Sequence, residues 1–238
     1  MPTALITGAS RGFGQALARD LAIRGWDLVI DGRDEGALAS AAAQLRRAAT
    51  DGAEVIAVPG DVTDDRHRED LASIVTGRGR LELLVNNAGT LGPSPLPALA
   101  TVPTQALREV FEVTTIAPLA LIQRVLPVLA GTPGTIVNIT SDAAVEAYPG
   151  WGVYGPAKAA LDHLSAILGE EHPQLRVYAF DPGDMRTDMH QAAFPDEDIS
   201  DRPTPEEAVP ALWHLVSSSP ASGRYRGTEP LAATGGLL

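Results

Sequence analysis

The chain has 238 residues, a formal net charge of -12 and no cysteine. The length suits one large α/β domain with a substantial core. The acidic balance argues against binding to nucleic acid or anionic membrane surfaces, and the lack of cysteine excludes disulfides, thiolate metal sites and cysteine nucleophiles. We see no secretory signal and no apolar run near the roughly 20 residues that cross a bilayer. We therefore expect a soluble cytoplasmic protein without a metal site.

Short apolar runs alternate with helical patterns along the chain. The runs are rich in Val, Ile and Leu and lack polar alternation, which is typical of strands buried on both faces of a parallel sheet. The predicted strands are 4–7, 27–30, 54–58, 81–85, 134–139 and 175–180. The predicted helices are 12–25, 35–50, 64–77, 104–131 and 151–171. The alternation predicts an α/β fold, a doubly wound parallel sheet with helices on both faces.

Two segments interrupt this alternation. Residues 90–104 contain four prolines, and residues 183–205 are polar and acidic. Each follows the carboxyl end of a predicted strand, where ligands bind in open α/β sheets. Long irregular loops at that edge are more often functional than structural. Neither segment resembles an interdomain linker, so we expect a single domain over 1–238 and a substrate lid over 184–202.

Three glycines, Gly8, Gly12 and Gly14, lie between the first predicted strand and the first predicted helix. Glycine tolerates the backbone conformations of a tight turn, and its missing side chain lets a phosphate approach the backbone amides. The following helix N-terminus adds partial positive charge. The spacing G-x3-G-x-G therefore predicts a dinucleotide site, although a glycine turn alone is a weak signal.

Four motifs appear in order along the chain: TGASRGFG at 7–14, NNAG at 86–89, a Ser141, Tyr154 and Lys158 set with S-x12-Y-x3-K spacing, and DPGDMRT at 181–187. Together they resemble the short-chain dehydrogenase/reductase family over residues 3 to about 190. The resemblance implies a Rossmann-type fold with about seven parallel strands. It also implies a nicotinamide cofactor and hydride transfer between a carbonyl and an alcohol.

The resemblance further implies which residues contact the cofactor. Asp61 and Val62 resemble the family's adenine-binding pair, with a helix N-cap as the alternative for Asp61. Lys158 is implied to bind the nicotinamide ribose. The full predicted cofactor set is Gly8, Ser10, Arg11, Gly12, Phe13, Gly14, Arg33, Asp61, Val62, Asn87, Ala88, Gly89, Tyr154, Lys158, Pro182, Gly183, Met185 and Thr187.

The charges near the adenosine ribose discriminate between the two nicotinamide cofactors. Family members that use NAD usually carry an acidic residue where this chain has Gly32. Arg33 follows, and Arg11 lies on the glycine turn; both can hold a 2′-phosphate through charge-assisted hydrogen bonds. We expect NADP(H) rather than NAD(H). Two alternatives remain open: both arginines are solvated surface charges, or Asp31 binds the ribose and favours NAD.

Tyr154 and Lys158 are four residues apart in a helical pattern, so their side chains share one face. A nearby ammonium favours the phenolate and lowers the tyrosine pKa from about 10. Tyr154 is therefore the predicted general acid and base, and the Ser141 hydroxyl is predicted to bind the substrate oxygen. Thr114 replaces the asparagine that the family carries in an F-x-V-N stretch, and it is a candidate fourth catalytic residue.

The acidic residues of the lid disfavour an anionic substrate. We expect a small, neutral, fairly apolar ketone or aldehyde, or the matching alcohol. His190 is expected to be an ordinary exposed histidine, with contact to a polar substrate group as the alternative. The expected pocket walls are Thr90, Leu91, residues 143–151 with Tyr148 and Trp151, and the lid with Met189 and Phe194.

These features favour an NADP(H)-dependent carbonyl reductase or alcohol dehydrogenase. Two other functions remain open: a non-redox epimerase or dehydratase on the same fold, toward which Thr114 alone leans, and a cofactor-sensing regulator. We expect a homodimer or homotetramer. Residues 222–236 are a faint version of the terminal strand and Gly-Gly element that many relatives use in tetramers.

Overall fold

A computed structural model describes residues 1–50 and 52–229 of the chain. Seven parallel strands form one sheet with the order β3-β2-β1-β4-β5-β6-β7, which confirms the predicted fold class. The strands are β1 Thr3–Ile6, β2 Asp27–Gly32, β3 Val55–Pro59, β4 Leu83–Asn86, β5 Thr135–Ile139, β6 Arg176–Asp181 and β7 Gly223–Arg226. The first six match the predicted runs closely.

Eight α-helices connect the strands of the described chain. They are α1 Gly12–Ile23, α2 Glu35–Ala48, α3 Asp65–Gly77, α4 Thr104–Phe111, α5 Ala117–Ala130, α6 Tyr154–Glu171, α7 Asp188–Ala193 and α8 Pro205–Ser218. A π-helical turn, Glu112–Ile116, joins α4 to α5. The predicted helix 104–131 is therefore one continuous helical stretch, Thr104–Ala130, with a π-helical turn in its middle.

Side chains of each strand alternate between two apolar layers. Leu28 and Ile30 of β2 pack into the layer under α1, α2 and α8. Val29, which lies between them, packs into the opposite layer with α3, α5 and the end of α6. Because both sheet faces are covered, the strands are apolar on both sides, and the sequence shows continuous apolar runs rather than alternation.

The strand order reverses at β1, which lies between β2 and β4. Crossover connections on either side of such a switch point leave a crevice at the carboxyl ends of the strands. The glycine turn that follows β1 therefore opens onto this crevice, as do the segments that follow β4, β5 and β6.

A chain of buried side chains links the middle strands to α6. Asn86 Nδ2 donates to Asn138 Oδ1 at 2.8 Å, and Asn138 Nδ2 donates to Ser165 Oγ at 2.8 Å. Ser165 Oγ in turn donates to the Leu161 carbonyl at 2.7 Å. Satisfied buried polar groups of this kind fix one arrangement of their elements, so β4, β5 and α6 hold a defined mutual position.

Two helices were absent from the sequence prediction. α7 lies inside the segment that was expected to be an irregular lid. α8 contains Pro210 in its interior, and an interior proline argues against a helix in a sequence pattern, whereas Pro205 at the first helical position is favourable. Its start is nevertheless marked by a capping box, in which Thr204 and Glu207 satisfy each other's backbone amides. That pattern could have identified the helix.

The stretch Thr104–Ala130 is the one helical stretch of the described residues long and apolar enough to cross a membrane by length and composition. The expectation that no segment reaches this length was therefore wrong. Leu121, Val125 and Leu129 of this stretch are buried in the layer that covers the sheet. Packing in the protein core therefore accounts for the apolar composition of this stretch.

The structure describes a single chain, so the expected homodimer or homotetramer stays a prediction. Ile116 and Ile167 remain 48% and 40% exposed on the π-helical turn and on α6. Of the C-terminal element at 222–236, the strand β7 is described, and residues 230–236 lie outside the described residues.

The capping box of α8 provides a test of this fold. Thr204→Ala leaves a backbone amide of the first turn without its partner, so we expect it to lower the free energy of unfolding by about 1 kcal/mol. Glu206→Ala, a neighbouring change outside the capping pair, is expected to change it by less than about 0.5 kcal/mol. Urea denaturation measures both values. Equal effects of the two substitutions would contradict the assigned cap.

Candidate active site

A cleft of about 1390 Å³ lies at the carboxyl edge of the sheet. All predicted site residues line it except Gly14 and Thr114. The topology thus brings segments after β1, β2, β3, β4, β5 and β6 to one place. The predicted residues that line the cleft are Gly8, Ser10, Arg11, Gly12, Phe13, Arg33, Asp61, Val62, Asn87, Ala88, Gly89, Ser141, Tyr154, Lys158, Pro182, Gly183, Met185 and Thr187.

The glycine turn has the backbone that its composition predicts. Gly8 and Gly12 have φ values of +65° and +59°, a region that residues with a Cβ rarely adopt. Gly14 serves a different purpose: a Cβ there would lie 2.5 Å from Asn87 Nδ2 and 2.6 Å from the Gly8 carbonyl oxygen. Gly14 is therefore needed for close packing behind the turn, and not as a wall of the cleft.

The N-terminus of α1 is open toward the cleft. Its N-cap position is Arg11, no side chain caps it, and its first turn carries no acidic residue. By contrast, Asp34 caps α2 and Asp64 caps α3. An uncapped N-terminus leaves backbone N–H groups and a partial positive charge available to an anion. The arrangement fits a bound phosphate group.

The end of β4 holds the glycine turn in place. Asn87 Nδ2 donates to the carbonyls of Thr7 and Gly8 at 2.9 and 3.0 Å. Thr7 Oγ1 accepts from the backbone amides of Asn87 and Ala88 at 3.0 and 3.1 Å. The NNAG motif therefore supports the turn from behind, while Ala88 and Gly89 face the cleft.

Asp31 does not lie where the ribose alternative requires it. It is 1% exposed, and its Oδ1 accepts from the Gly8 amide at 2.6 Å while its Oδ2 lies 3.0 Å from His67 Nε2. Burial raises its pKa from the usual value. Alternation along β2 sends Asp31 to one sheet face and Gly32 to the other, beside Ser10. One carboxylate oxygen thus holds the glycine turn, and the other contacts His67 of α3.

His67 is a residue that sequence reasoning missed. It is 6% exposed on α3 and packs against Gly60, where a Cβ would lie 2.2 Å from His67 Nδ1. No sequence pattern identifies a helix histidine that contacts a buried carboxylate at the end of a strand. The sequence therefore contains no signal that could have identified His67. Asp61, in turn, does not cap α3. Its Oδ1 accepts from the Thr63 amide and hydroxyl, both at 2.9 Å.

The two arginines at the cofactor end of the cleft are exposed. The Arg33 side chain is 65% exposed and its Nη1 lies 4.0 Å from Asp61 Oδ2. Arg11 is 72% exposed and its Nη1 donates to Asp188 Oδ2 at 3.4 Å. Exposed ion pairs of this length contribute little to stability. Both guanidinium groups can therefore exchange these partners for a ligand phosphate.

The three predicted catalytic residues converge on the same part of the cleft. Lys158 Nζ donates to the Ile139 carbonyl at 2.6 Å and lies 5.4 Å from the centroid of the Tyr154 ring. Ser141 Oγ donates to Asp142 Oδ1 at 2.9 Å and accepts from the Ala143 amide at 3.2 Å. The Ser141 hydroxyl must turn away from Asp142 to reach a substrate oxygen.

The predicted lowering of the Tyr154 pKa is wrong for the protein without cofactor. Burial raises this pKa, and the carboxylates of Asp181 and Asp142 raise it further. Burial also lowers the pKa of Lys158 to about 8. The desolvation of the phenol is the largest cause of this shift and decides its direction. Tyr154 thus holds its proton at neutral pH.

Thr114 occupies the π-helical turn between α4 and α5. It is 1% exposed, and within the described chain its Oγ1 has no hydrogen-bond partner. The neighbouring Thr115 Oγ1 donates to the Ala157 carbonyl at 2.9 Å and so connects the turn to α6. Thr114 does not line the cleft, and its catalytic role stays a prediction.

The segment after β6 shapes the cleft floor and the lid. Gly183 has a φ value of +79°, and its amide donates to Asp181 Oδ1 at 3.0 Å. Thr187 caps α7 by accepting from the His190 amide at 3.1 Å. Its hydroxyl hydrogen is still available for a ligand, because a hydroxyl both accepts and donates.

The substrate end of the cleft is aromatic. The Trp151 ring lies 5.7 Å from that of Tyr154 and 6.1 Å from that of Phe194. His190 is half-buried and not exposed as expected: its side chain is 9% exposed, and its ring lies 5.0 Å from that of Phe194. The reason is that α7, which sequence reasoning missed, turns His190 inward. The segment that contains α7 therefore packs onto the aromatic wall.

The model of the family described as short chain dehydrogenase matches residues 2–198. Sepiapterin reductase from Bos taurus is 34% identical over 201 residues, covering 79% of this chain and 74% of the relative. Serine 3-dehydrogenase from Agrobacterium fabrum is 36% identical over 192 residues, covering 79% and 73%.

Solved structures agree with these relatives. A short chain dehydrogenase from Shigella flexneri, complexed with NADP, has a TM-score of 0.87 at 26% identity, over 96% of this chain and 97% of the other. The matched region contains the glycine turn, the NNAG motif and the Ser141, Tyr154 and Lys158 group. The chain therefore belongs to the short chain dehydrogenase family.

Proposed function

We propose that the chain is an NADPH-dependent reductase of small neutral ketones or aldehydes. The observation that carries the proposal is the convergence of Ser141, Tyr154 and Lys158 on a cleft whose other end is the uncapped, glycine-lined N-terminus of α1. The first group suits proton transfer and the second suits a dinucleotide phosphate. The two ends belong to one continuous cleft.

The residues at the cofactor end fit NADP(H) better than NAD(H). Arg33 and Arg11 present exposed guanidinium groups, and Asp31 is engaged with Gly8 and His67. No carboxylate is therefore left at the Gly32 position to bind ribose hydroxyls. Neighbouring structures that hold NADP or NADPH support the same choice. When NADPH is bound, it supplies the hydride that reduces the carbonyl carbon.

The chain's own residues then handle the proton. Tyr154 donates the phenol proton to the carbonyl oxygen, which becomes the alcohol hydroxyl. Ser141 donates a hydrogen bond to the same oxygen as negative charge develops there. Burial raises the pKa of Tyr154, so the phenol carries its proton before the reaction and can donate it as the carbonyl oxygen becomes basic.

The aromatic wall and the carboxylates beside it define the substrate class. Trp151 and Phe194 favour an apolar or aromatic body. Asp142 and Asp184 line the same part of the cleft, and their negative charges disfavour an anionic substrate. An uncharged aryl ketone or aryl aldehyde satisfies both conditions.

The first test is the role of Tyr154. With NADPH and 4-nitrobenzaldehyde, Tyr154→Phe is expected to lower kcat/KM by about 10² to 10⁴, because it removes the proton donor and little else. Tyr148→Phe is the comparison, since that hydroxyl already contacts Asp142 and Glu146. NADPH absorbance at 340 nm and fluorescence titration measure turnover and binding.

A loss of activity in Tyr154→Phe with unchanged NADPH binding supports the reductase. Equal decreases in kcat/KM in Tyr154→Phe and Tyr148→Phe would contradict the role of the Tyr154 phenol as the proton donor. Binding of NADPH without net consumption, over a panel of ketones, aldehydes and quinones, would instead favour a non-redox enzyme or a cofactor sensor.

The second test is the choice of cofactor. Arg33→Ala is expected to raise the KM for NADPH by about 10- to 100-fold, which is the loss of a charge-assisted bond to phosphate, and to leave the KM for NADH unchanged. Arg19→Ala removes the same charge from an exposed position of α1 outside the cleft. If wild-type protein prefers NADH, the cofactor assignment is wrong.

The third test is the pH dependence set by Lys158. Its pKa is lowered to about 8, so the ammonium is lost as the pH rises through that value. Because kcat/KM reports the free enzyme, kcat/KM for NADPH is expected to fall above pH 8. Lys158→Arg keeps its charge over this range, and its residual activity is expected to show no such decline. An unchanged decline in the variant would assign it to another group.

A further inference from the structure

Arg224 of β7 carries a guanidinium group that faces inward, with 17% of the side chain exposed. Its Nε donates to Asp162 Oδ2 at 3.0 Å. Its Nη2 donates to the Ser141 carbonyl at 2.9 Å and to Asp181 Oδ2 at 3.2 Å. One planar group thus joins α6, the carboxyl end of β6 and the segment after β5.

Each of these three partners adjoins a functional part of the cleft. Ser141 carries the hydroxyl proposed to bind the substrate oxygen. Asp181 also accepts from the Gly183 amide at 3.0 Å, so it holds the turn that begins the lid segment. Asp162 lies four residues after Lys158 on α6. A displacement of the guanidinium would therefore move three site segments relative to one another.

The same contacts balance charge in a buried region. The side chains of Asp162 and Asp181 are 7% and 3% exposed, and buried carboxylates of this kind need a cationic partner. Arg226 assists from the same strand, with its Nε 3.3 Å from Asp181 Oδ2 and 31% of its side chain exposed. Arg224 is the more buried of the two and reaches both carboxylates.

The charged groups around Tyr154 make this balance relevant to the reaction. Lys158 faces it from α6, Asp142 from the segment after β5, and Asp181 from β6. Arg224 acts on Tyr154 through Asp181. Without the guanidinium, the negative charge of Asp181 would act on the phenol less opposed, and a negative charge disfavours the phenolate.

We propose that Arg224 is a positioning residue of the reaction, which fixes the Ser141 segment, α6 and the lid turn against one another and offsets the negative charge of Asp181. The inference rests on the proposed function, because it concerns the same proton transfer. It adds a residue of the last strand that neither the family motifs nor the lining of the cleft contain.

The test compares Arg224→Met and Arg224→Lys with Arg176→Met, a control on β6 whose guanidinium donates to backbone carbonyls. The assays use NADPH with 4-nitrobenzaldehyde for reduction and NADP⁺ with 1-phenylethanol for oxidation, from pH 6 to 10. Thermal unfolding of each variant accompanies them. For Arg224→Met, we expect kcat to fall by about tenfold or more, while the KM for NADPH stays within about threefold of wild type.

The pH profile separates positioning from simple structural support. Alcohol oxidation needs the Tyr154 phenolate, and loss of the Arg224 charge raises the pKa of Tyr154. In the pH profile of oxidation, kcat rises as Tyr154 loses its proton, and we call this rise the acidic limb. The acidic limb is therefore expected to move to higher pH in Arg224→Met. In Arg224→Lys the charge remains and the planar fork is lost, so kcat falls while the limb stays in place.

The outcomes distinguish this inference from the proposed function. If wild-type protein neither reduces 4-nitrobenzaldehyde with NADPH nor oxidises 1-phenylethanol with NADP⁺, the proposed function fails, and this inference fails with it. If wild type is active and Arg224→Met matches Arg176→Met in kcat and pH profile, the inference alone is overturned. If Arg224→Met does not fold, Arg224→Lys decides: a wild-type kcat overturns the inference, and a reduced kcat with an unmoved limb supports it.

Discussion

The close contact between the glycine turn and the end of β4 is the constraint on which the site depends. Gly14 leaves no room for a Cβ beside Asn87 and Gly8. Asn87 and Thr7 exchange hydrogen bonds across the same contact. Since β1 and β4 are neighbours at the switch point of the sheet, this contact places the open N-terminus of α1 over the crevice where a ligand can bind.

A second constraint is the management of buried charge beneath the cleft. Asp31 is held by His67 and the Gly8 amide on one side of the site, and Asp181 is paired with Arg224 and Arg226 on the other. Each carboxylate also accepts from a glycine amide, at Gly8 and at Gly183 respectively. Burial is unfavourable for a charge, and these partners offset that cost. The same hydrogen bonds fix the glycine turn at the cofactor end and the turn at the start of the lid segment.

The electrostatics of the site follow from desolvation more than from the proximity of Tyr154 to Lys158. Both groups are buried, so each favours its neutral form: the pKa of Tyr154 rises and that of Lys158 falls. A neutral phenol that keeps its proton is suited to act as an acid toward a carbonyl. The aromatic wall of Trp151 and Phe194 maintains this burial by covering the substrate end of the cleft.

The amino-acid sequence by itself determined six of the seven strands, the helices up to α6 and the parallel sheet, because these follow from local apolar periodicity. The members of the cleft followed from the resemblance of four motifs to a known family. Eighteen of the predicted site residues line the cleft, while Gly14 and Thr114 lie behind it. Only the tertiary structure decided which way Asp31 points, that the His190 side chain turns inward, and that Arg224 reaches Asp162 and Asp181. It also decided the direction of the Tyr154 pKa. These properties depend on neighbours that lie far apart in the sequence, and on the water that those neighbours exclude, so no local pattern could have predicted them.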